Sequence, residues 1–124
     1  MFKKIILTLI ILCFPNITTA YTPDPWSKQD FILESSFAAI TIVDWAQTRY
    51  ISRNPERFYE KNPILGKHPS TSKVDLYMGA SILSHIVITH FLPAKWRPTW
   101  QCVWIILELK TVGGNNQVGI GVRW

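Results

Sequence analysis

Residues 44–69 read DWAQTRYISRNPERFYEKNPILGKHP. The stretch opens with a carboxylate, Asp44, inside an apolar run and leaves that run through Arg49 and Arg53. It then enters a segment punctuated by Pro55, Pro63 and Pro69. Asn54-Pro55 stops a helix, because the residue before proline is pushed out of the α region and proline donates no amide. Asn62-Pro63 and His68-Pro69 hold the loop stiff in the same way. The reading that follows is helix, rigid loop over 53–72, helix.

Working back toward the N-terminus, Ser27-Lys28-Gln29-Asp30 fits a capping box, so a first helix is expected over about 28–52. At 1.5 Å per residue it is about 37 Å long, enough to cross a hydrocarbon core of about 30 Å. YTPDPW at 21–26 reads as an extended lead, since two prolines in four residues exclude helix. Residues 1–20 have the basic, apolar and small-residue regions of a secretory signal peptide, with Thr18 and Ala20 at the cleavage positions. Cleavage would remove Cys13 and leave Cys102 alone, so no intramolecular disulfide is expected.

Working forward, Ser72-Lys73-Val74-Asp75 repeats the capping-box pattern, which predicts a second helix over about 73–92, ended by Pro93. It contains LYMGASILSHIVITHFL at 76–92, free of formal charge if both histidines are neutral. A shorter third helix is expected over about 99–112, capped by Thr99 and closed by Gly113-Gly114. Trp96, Trp100 and Trp104 fall at four-residue steps and predict one aromatic ridge. The tail 113–124 alternates apolar and small residues with a strand period, but one strand has no partner.

The chain of 124 residues with a formal charge of +5 allows one domain, over 21–124, and too little length for a large enzyme core. The 48% apolar content is that of an ordinary globular protein. Its arrangement in blocks is not. The fold class expected is all-α: a small helical membrane protein with two transmembrane helices and a third that is transmembrane or interfacial. The stretch 49–73 carries six basic residues against Glu56 and Glu60, a balance of +4, whereas 21–30 carries Asp24 and Asp30 against Lys28. Cytoplasmic loops collect Lys and Arg, which places the mature N-terminus outside and the 53–72 loop in the cytoplasm of a bacterial inner membrane. Lys95 and Arg97 count against that orientation.

The candidate site residues are polar groups on apolar helices. Glu34, Thr41, Asp44 and Thr48 share one stripe of the first helix, and Tyr77, Ser81 and His85 one stripe of the second. An ionisable group at bilayer depth costs roughly 2.5–3.5 kcal/mol on insertion scales, so these stripes are expected to face each other as a seam. Counting from Ser52 and Lys73 sets Asp44 level with Ser81, Thr41 with His85, and Glu34 with His90. Asp44 and His85 could pass protons, or Asp44 could simply hold the hairpin in register; Glu108 is a further seam candidate. In the loop, Glu60, Asn62, Pro63, Gly66 and His68 form a compact motif without an accompanying nucleophile or phosphate-cradling glycines, which reads as bracing. His85 and His90 turn about 140° apart on a helix and make no metal face. No catalytic residue, metal or cofactor is assigned.

The run from Asp44, Gln47 and Thr48 to Tyr59-Glu60-Lys61-Asn62-Pro63-Ile64-Leu65-Gly66-Lys67-His68-Pro69-Ser70 resembles a group of short, uncharacterised membrane proteins of bacteria and their phages. They share an Asp-x-x-Gln-Thr helix, a Glu-x-Asn-Pro-x-Leu-Gly loop and a second apolar helix with a histidine. The resemblance covers 44 to about 110 and is tightest over 59–70; it implies membrane architecture and supplies no mechanism. The function expected is a non-enzymatic accessory or interaction protein of the bacterial envelope, phage-derived if the resemblance holds. Its partners would be the lipid bilayer and another membrane protein or a second copy, through Trp96, Trp100 and Trp104 or the loop, and not nucleic acid. The alternatives are an intramembrane enzyme or proton-coupled carrier using Asp44 and His85, and a soluble exported helical binding module.

Overall fold

A computed structural model describes residues 21–123 of the chain. The signal-peptide reading of 1–20 falls outside the described residues. The described chain is all-helical: α1 (Lys28–Arg53), α2 (Thr71–Phe91), a single 3-10 turn (Ala94–Trp96) and α3 (Arg97–Gln117).

α1 begins where the capping box predicts. The Ser27 hydroxyl accepts from the Asp30 amide at 3.1 Å, and Asp30 accepts from the Ser27 amide at 2.8 Å. The other helix ends differ from expectation. α2 is capped by Ser70, which accepts from the Lys73 amide, and not by Ser72. Asp75 is thereby released from a capping box, and it accepts instead from the Trp45 indole and the Arg49 guanidinium of α1. α3 starts at Arg97 with Pro98 in its first turn, where a missing amide costs nothing. It runs through Gly113-Gly114 to Gln117, because the helix is tethered there from α1: the Gln47 amide donates to the Val112 carbonyl and to Asn116 Oδ1. No strand forms among the described tail residues. The chain turns at Gly119, whose φ of 83° suits glycine, and the Ile120 amide returns to the Asn115 carbonyl, burying Ile120 beneath the bundle.

α1 is the central element, packed against α2 on one side and α3 on the other, while α2 and α3 touch little. α2 runs antiparallel to α1. α3 runs parallel to it, as the pairs Asp30/Arg97, Glu34/Gln101 and Gln47/Asn116 require. The extended lead and the α2–α3 turn therefore lie at one end of the bundle, and the 54–70 loop and the tail at the other.

The register of the α1–α2 hairpin differs from the count made on the sequence. Glu34 meets His85 and not His90, a shift of five residues, or about 7.5 Å at 1.5 Å each. Part of it comes from the start of α2 at Thr71, whose hydroxyl lies 3.3 Å from that of Ser52. The rest accumulates along the hairpin. From Ser52 to Glu34, α1 advances 18 residues, while from Thr71 to His85, α2 advances only 14.

The distribution of side chains is the reverse of a water-soluble bundle. Among the described residues, ten of those withdrawn from solvent are polar or charged and seven are apolar. Large apolar side chains face outward instead, among them Ile42 on α1, Leu76, Leu83 and Phe91 on α2, and Val103, Ile106 and Leu109 on α3. The conventional apolar core is a small cluster of Leu65, Val74 and Met78, with Trp45 and Tyr77 against it, near the loop end.

Candidate functional site: a polar seam inside an apolar bundle

On α1, Asp30, Glu34, Phe37, Thr41, Asp44, Thr48 and Ile51 are buried at alternating four- and three-residue steps. That is the spacing of a coiled-coil seam, where apolar side chains normally stand. Here five of the seven positions are polar or charged.

At the lead end, Arg97 is wholly enclosed and ties together every element it meets. Its Nε donates to the Leu92 carbonyl, Nη1 to the Pro25 carbonyl and Asp30, and Nη2 to the carbonyls of Asp24 and His90. A planar fork with five donors suits this task, which a lysine could not perform. The sequence reading placed Arg97 among the free cations of an outer loop and missed it. The signal available was its position between Trp96 and Pro98, at a helix start where a charge pointing outward gains nothing.

One turn deeper, Glu34 accepts from three partners on the two neighbouring helices. His85 Nδ1 stands 2.7 Å from its Oε1, while the Thr89 hydroxyl at 3.1 Å and the Gln101 amide at 2.9 Å donate to Oε2. The His85 ring stacks on Phe37 with centroids 3.7 Å apart and on Trp100 at 5.2 Å, and Trp104 closes edge-on at 6.3 Å. The expected tryptophan ridge is thus divided. Trp96 lies in the 3-10 turn, exposed beside Lys95, whereas Trp100 and Trp104 pair with each other and wall in the histidine.

Toward the loop end, Thr41 donates to the Phe37 carbonyl of its own helix. Asp44 and the Gln47 side-chain oxygen accept from the Asn115 amide at 3.3 and 3.0 Å. Thr48 is buried one turn beyond. Asp44 and His85 therefore belong to different parts of the seam, the first facing α3 and the second facing Glu34. Tyr77 packs on the small apolar cluster, and Ser81 lies half-buried on α2 outside these contacts. Glu108 lies on α3 between Gln101, which meets Glu34, and Asn115, which meets Asp44.

The loop motif forms a closed brace. The Glu60 carboxylate accepts from the Asn62 amide, and the Asn62 side chain accepts from the Ile64 amide. The Gly66 amide donates to the Asn62 carbonyl and the Glu60 amide to the Lys67 carbonyl, which needs Gly66 at a φ of 79°. Pro63 sits in the turn so formed. His68 is outside the brace and lines an open hollow of about 460 Å³ with Arg57, Tyr59 and Lys67.

Among the described residues no group of three His, Cys, Asp or Glu side chains could hold a metal ion, and Cys102 is free and exposed. Comparison with family models, curated proteins and solved structures finds no match to this chain.

Proposed function

We propose that this chain is a small integral membrane protein of the bacterial envelope, with a non-enzymatic accessory role in which its stiff loop meets a partner. The observation that carries the reading is the inverted burial: charged and polar side chains fill the inside while aliphatic ones cover the outside. In water, such an arrangement forfeits the hydrophobic contribution to folding, whereas in hydrocarbon it is the favourable one. α2 is long and apolar enough to cross a membrane, and only 22% of its most apolar window is buried within the protein. A core helix of a soluble bundle would be mostly covered. At 21 residues, or about 31 Å, α2 matches a hydrocarbon core of about 30 Å. Among the described residues α2 alone is long and apolar enough for this; α1 and α3 are less apolar, and a crossing by them rests on their lying beside α2 with polar side chains turned onto the seam.

The charge balance favours the loop on the cytoplasmic side and the lead outside. Arg97 no longer opposes this orientation, because it is enclosed and paired with Asp30, leaving Lys28 and Lys95 as the outer cations. The accessory role rests on the loop. Its backbone is held by the Glu60 and Asn62 hydrogen bonds while Tyr59 and Ile64, 57% and 67% exposed, point away from the bundle among Lys61 and Lys67. A preorganised loop that exposes large side chains binds without a heavy ordering cost.

Two measurements test the two halves. Carbonate washing of membranes should leave the protein in the pellet, and its release would remove the membrane reading. A photo-crosslinker at Ile64 should capture a discrete membrane protein that Tyr59→Ala abolishes; capture of lipid alone would remove the accessory role.

A further inference from the structure

The loop end of the bundle carries cations that the fold leaves unneutralised. Among the described residues, ion pairs are made by Arg49, His85 and Arg97, and neither Arg57 nor Lys67 has a carboxylate within 4 Å. The Glu60 carboxylate is drawn into the loop by the Asn62 amide at 2.8 Å. Both cations are exposed and line the open hollow of about 460 Å³, beside Tyr59 and His68, with Pro55 and Phe58 as the apolar part of its wall. The wall is fixed in advance. The Arg57 and Phe58 amides both donate to the Asn54 carbonyl at 3.0 Å, the Asn54 side chain donates to the Tyr50 carbonyl of α1, and the Phe58 ring lies 5.8 Å from that of Tyr50. The Glu60 amide fastens the other side through the Lys67 carbonyl at 2.8 Å. A concavity of a few hundred Å³ with a few polar groups already in place is the usual form of a small-ligand site, and prior placement lowers the ordering cost of binding.

We propose that this hollow binds the phosphodiester of an anionic, hydroxyl-bearing lipid headgroup, of which phosphatidylglycerol is the simplest, and so seats the loop on the inner leaflet. The inference rests on the membrane reading above and deepens it. A phosphodiester carries one negative charge, and its oxygens accept from the Arg57 guanidinium as a fork and from the Lys67 ammonium as a point charge. The Tyr59 hydroxyl is a further donor. Glu56, in the same wall, selects among anions: it repels a free phosphate dianion, whereas it accepts from a headgroup hydroxyl. A zwitterionic headgroup brings its own cation toward Arg57 and Lys67 and gains less. Because the hollow is open, it does not withdraw a free ion from water, and such an ion is held weakly. A lipid is already confined to the plane in which the loop lies, which supplies the effective concentration that an open site needs. The balance of +4 over 49–73 gathers anionic lipid to this end of the bundle. Ile64 lies outside the hollow and stays free for a protein partner.

The test follows the imidazole NMR signals of the histidines while the full chain, in an uncharged detergent at physiological salt, is titrated with dioctanoyl phosphatidylglycerol. His68 stands in the hollow, His85 inside the bundle and His90 at the lead end. His68 should shift saturably while the other two stay in place. Dioctanoyl phosphatidylcholine should move none of them, and inorganic phosphate should need a concentration about tenfold higher or more. Arg57→Gln with Lys67→Gln should raise the midpoint about tenfold or more. Arg53→Gln with Lys61→Gln removes the same charge outside the hollow and should raise it no more than about twofold, since distant charges are screened. An unmoved His85 signal, set by stacking on Phe37 and Trp100, shows that a variant is folded. If a variant loses that signal, the comparison of the two lipids on wild type decides. Equal midpoints for the two lipids, equal weakening by the two pairs of changes, or a His68 response to inorganic phosphate at the lipid's own midpoint would each overturn the headgroup site. A chain that stays in the carbonate-washed pellet without the His68 response keeps the membrane reading and loses the site, whereas release by carbonate removes both.

Discussion

Arg97 shows how one side chain can join parts of a chain that share no regular hydrogen bonding. The lead at 24–25, the end of α2 at 90–92 and the first turn of α1 are held by the same guanidinium. Its removal leaves the buried Asp30 carboxylate with the Ser27 amide but no cation, and takes a donor from each of four backbone carbonyls. Breaking a buried pair by deleting one partner typically costs about 3–5 kcal/mol. Arg97→Ala should therefore destabilise the protein by about that much, and Arg97→Lys by only somewhat less, since an ammonium cannot reach all five acceptors. Denaturant titration in mild detergent measures it, and a loss below about 1 kcal/mol would show the network to be incidental. The same scale shows what could be read from spacing alone. Glu34, Thr41, Asp44 and Thr48 were legible as one stripe because a helix has a fixed period, and the structure buries all four. That Glu34 takes His85, and that Arg97 turns inward, depended on where α2 starts and how the lead folds back, which no local pattern records.

At the scale of elements, capping chemistry was legible where one candidate stood alone and ambiguous where two competed. Ser27 with Asp30 had no rival; Ser70 and Ser72 stand two residues apart, and the cap fell to Ser70, which puts Ser72 in the first turn and leaves Asp75 to accept from Trp45 and Arg49. Gly113-Gly114 misled for a related reason. Glycine has low helix propensity, by about 1 kcal/mol relative to alanine, but tertiary contacts override it. Gln47 and Asp44 hold α3 on either side of the pair through Val112, Asn115 and Asn116. A Cβ at either glycine would meet nothing within 4 Å. Gly113→Ala and Gly114→Ala should each therefore stabilise the protein by about 0.5–1 kcal/mol, read as a raised unfolding midpoint. Gly66 also has open space around it, yet its φ is 79°. Gly66→Ala should thus cost about 1–2 kcal/mol locally and make the loop easier to cleave by limited proteolysis, while Gly66→Asn should largely be tolerated.

For the whole molecule, the question is which solvent the outer face of α2 meets, and a single substitution there separates the answers. Leu83 is 63% exposed, near the middle of α2. If that face meets water, Leu83→Lys is a surface change, expected to shift stability by no more than about 0.5 kcal/mol and to improve solubility. If it meets hydrocarbon, a lysine at this depth costs roughly 2.5–3.5 kcal/mol on insertion scales, partly relieved when the long stem reaches toward the interface. The inverted burial argues for the second outcome: the polar seam would satisfy groups that lipid cannot, and the aliphatic coat would need no cover of its own. Leu83→Lys should therefore lower the membrane-inserted fraction severalfold in a glycosylation-mapping assay, whereas Leu83→Phe should leave it unchanged. Equal insertion of the two variants would mean that α2 does not face lipid at this position, and the seam would then have to be explained as the core of a bundle that covers its aliphatic coat with another protein.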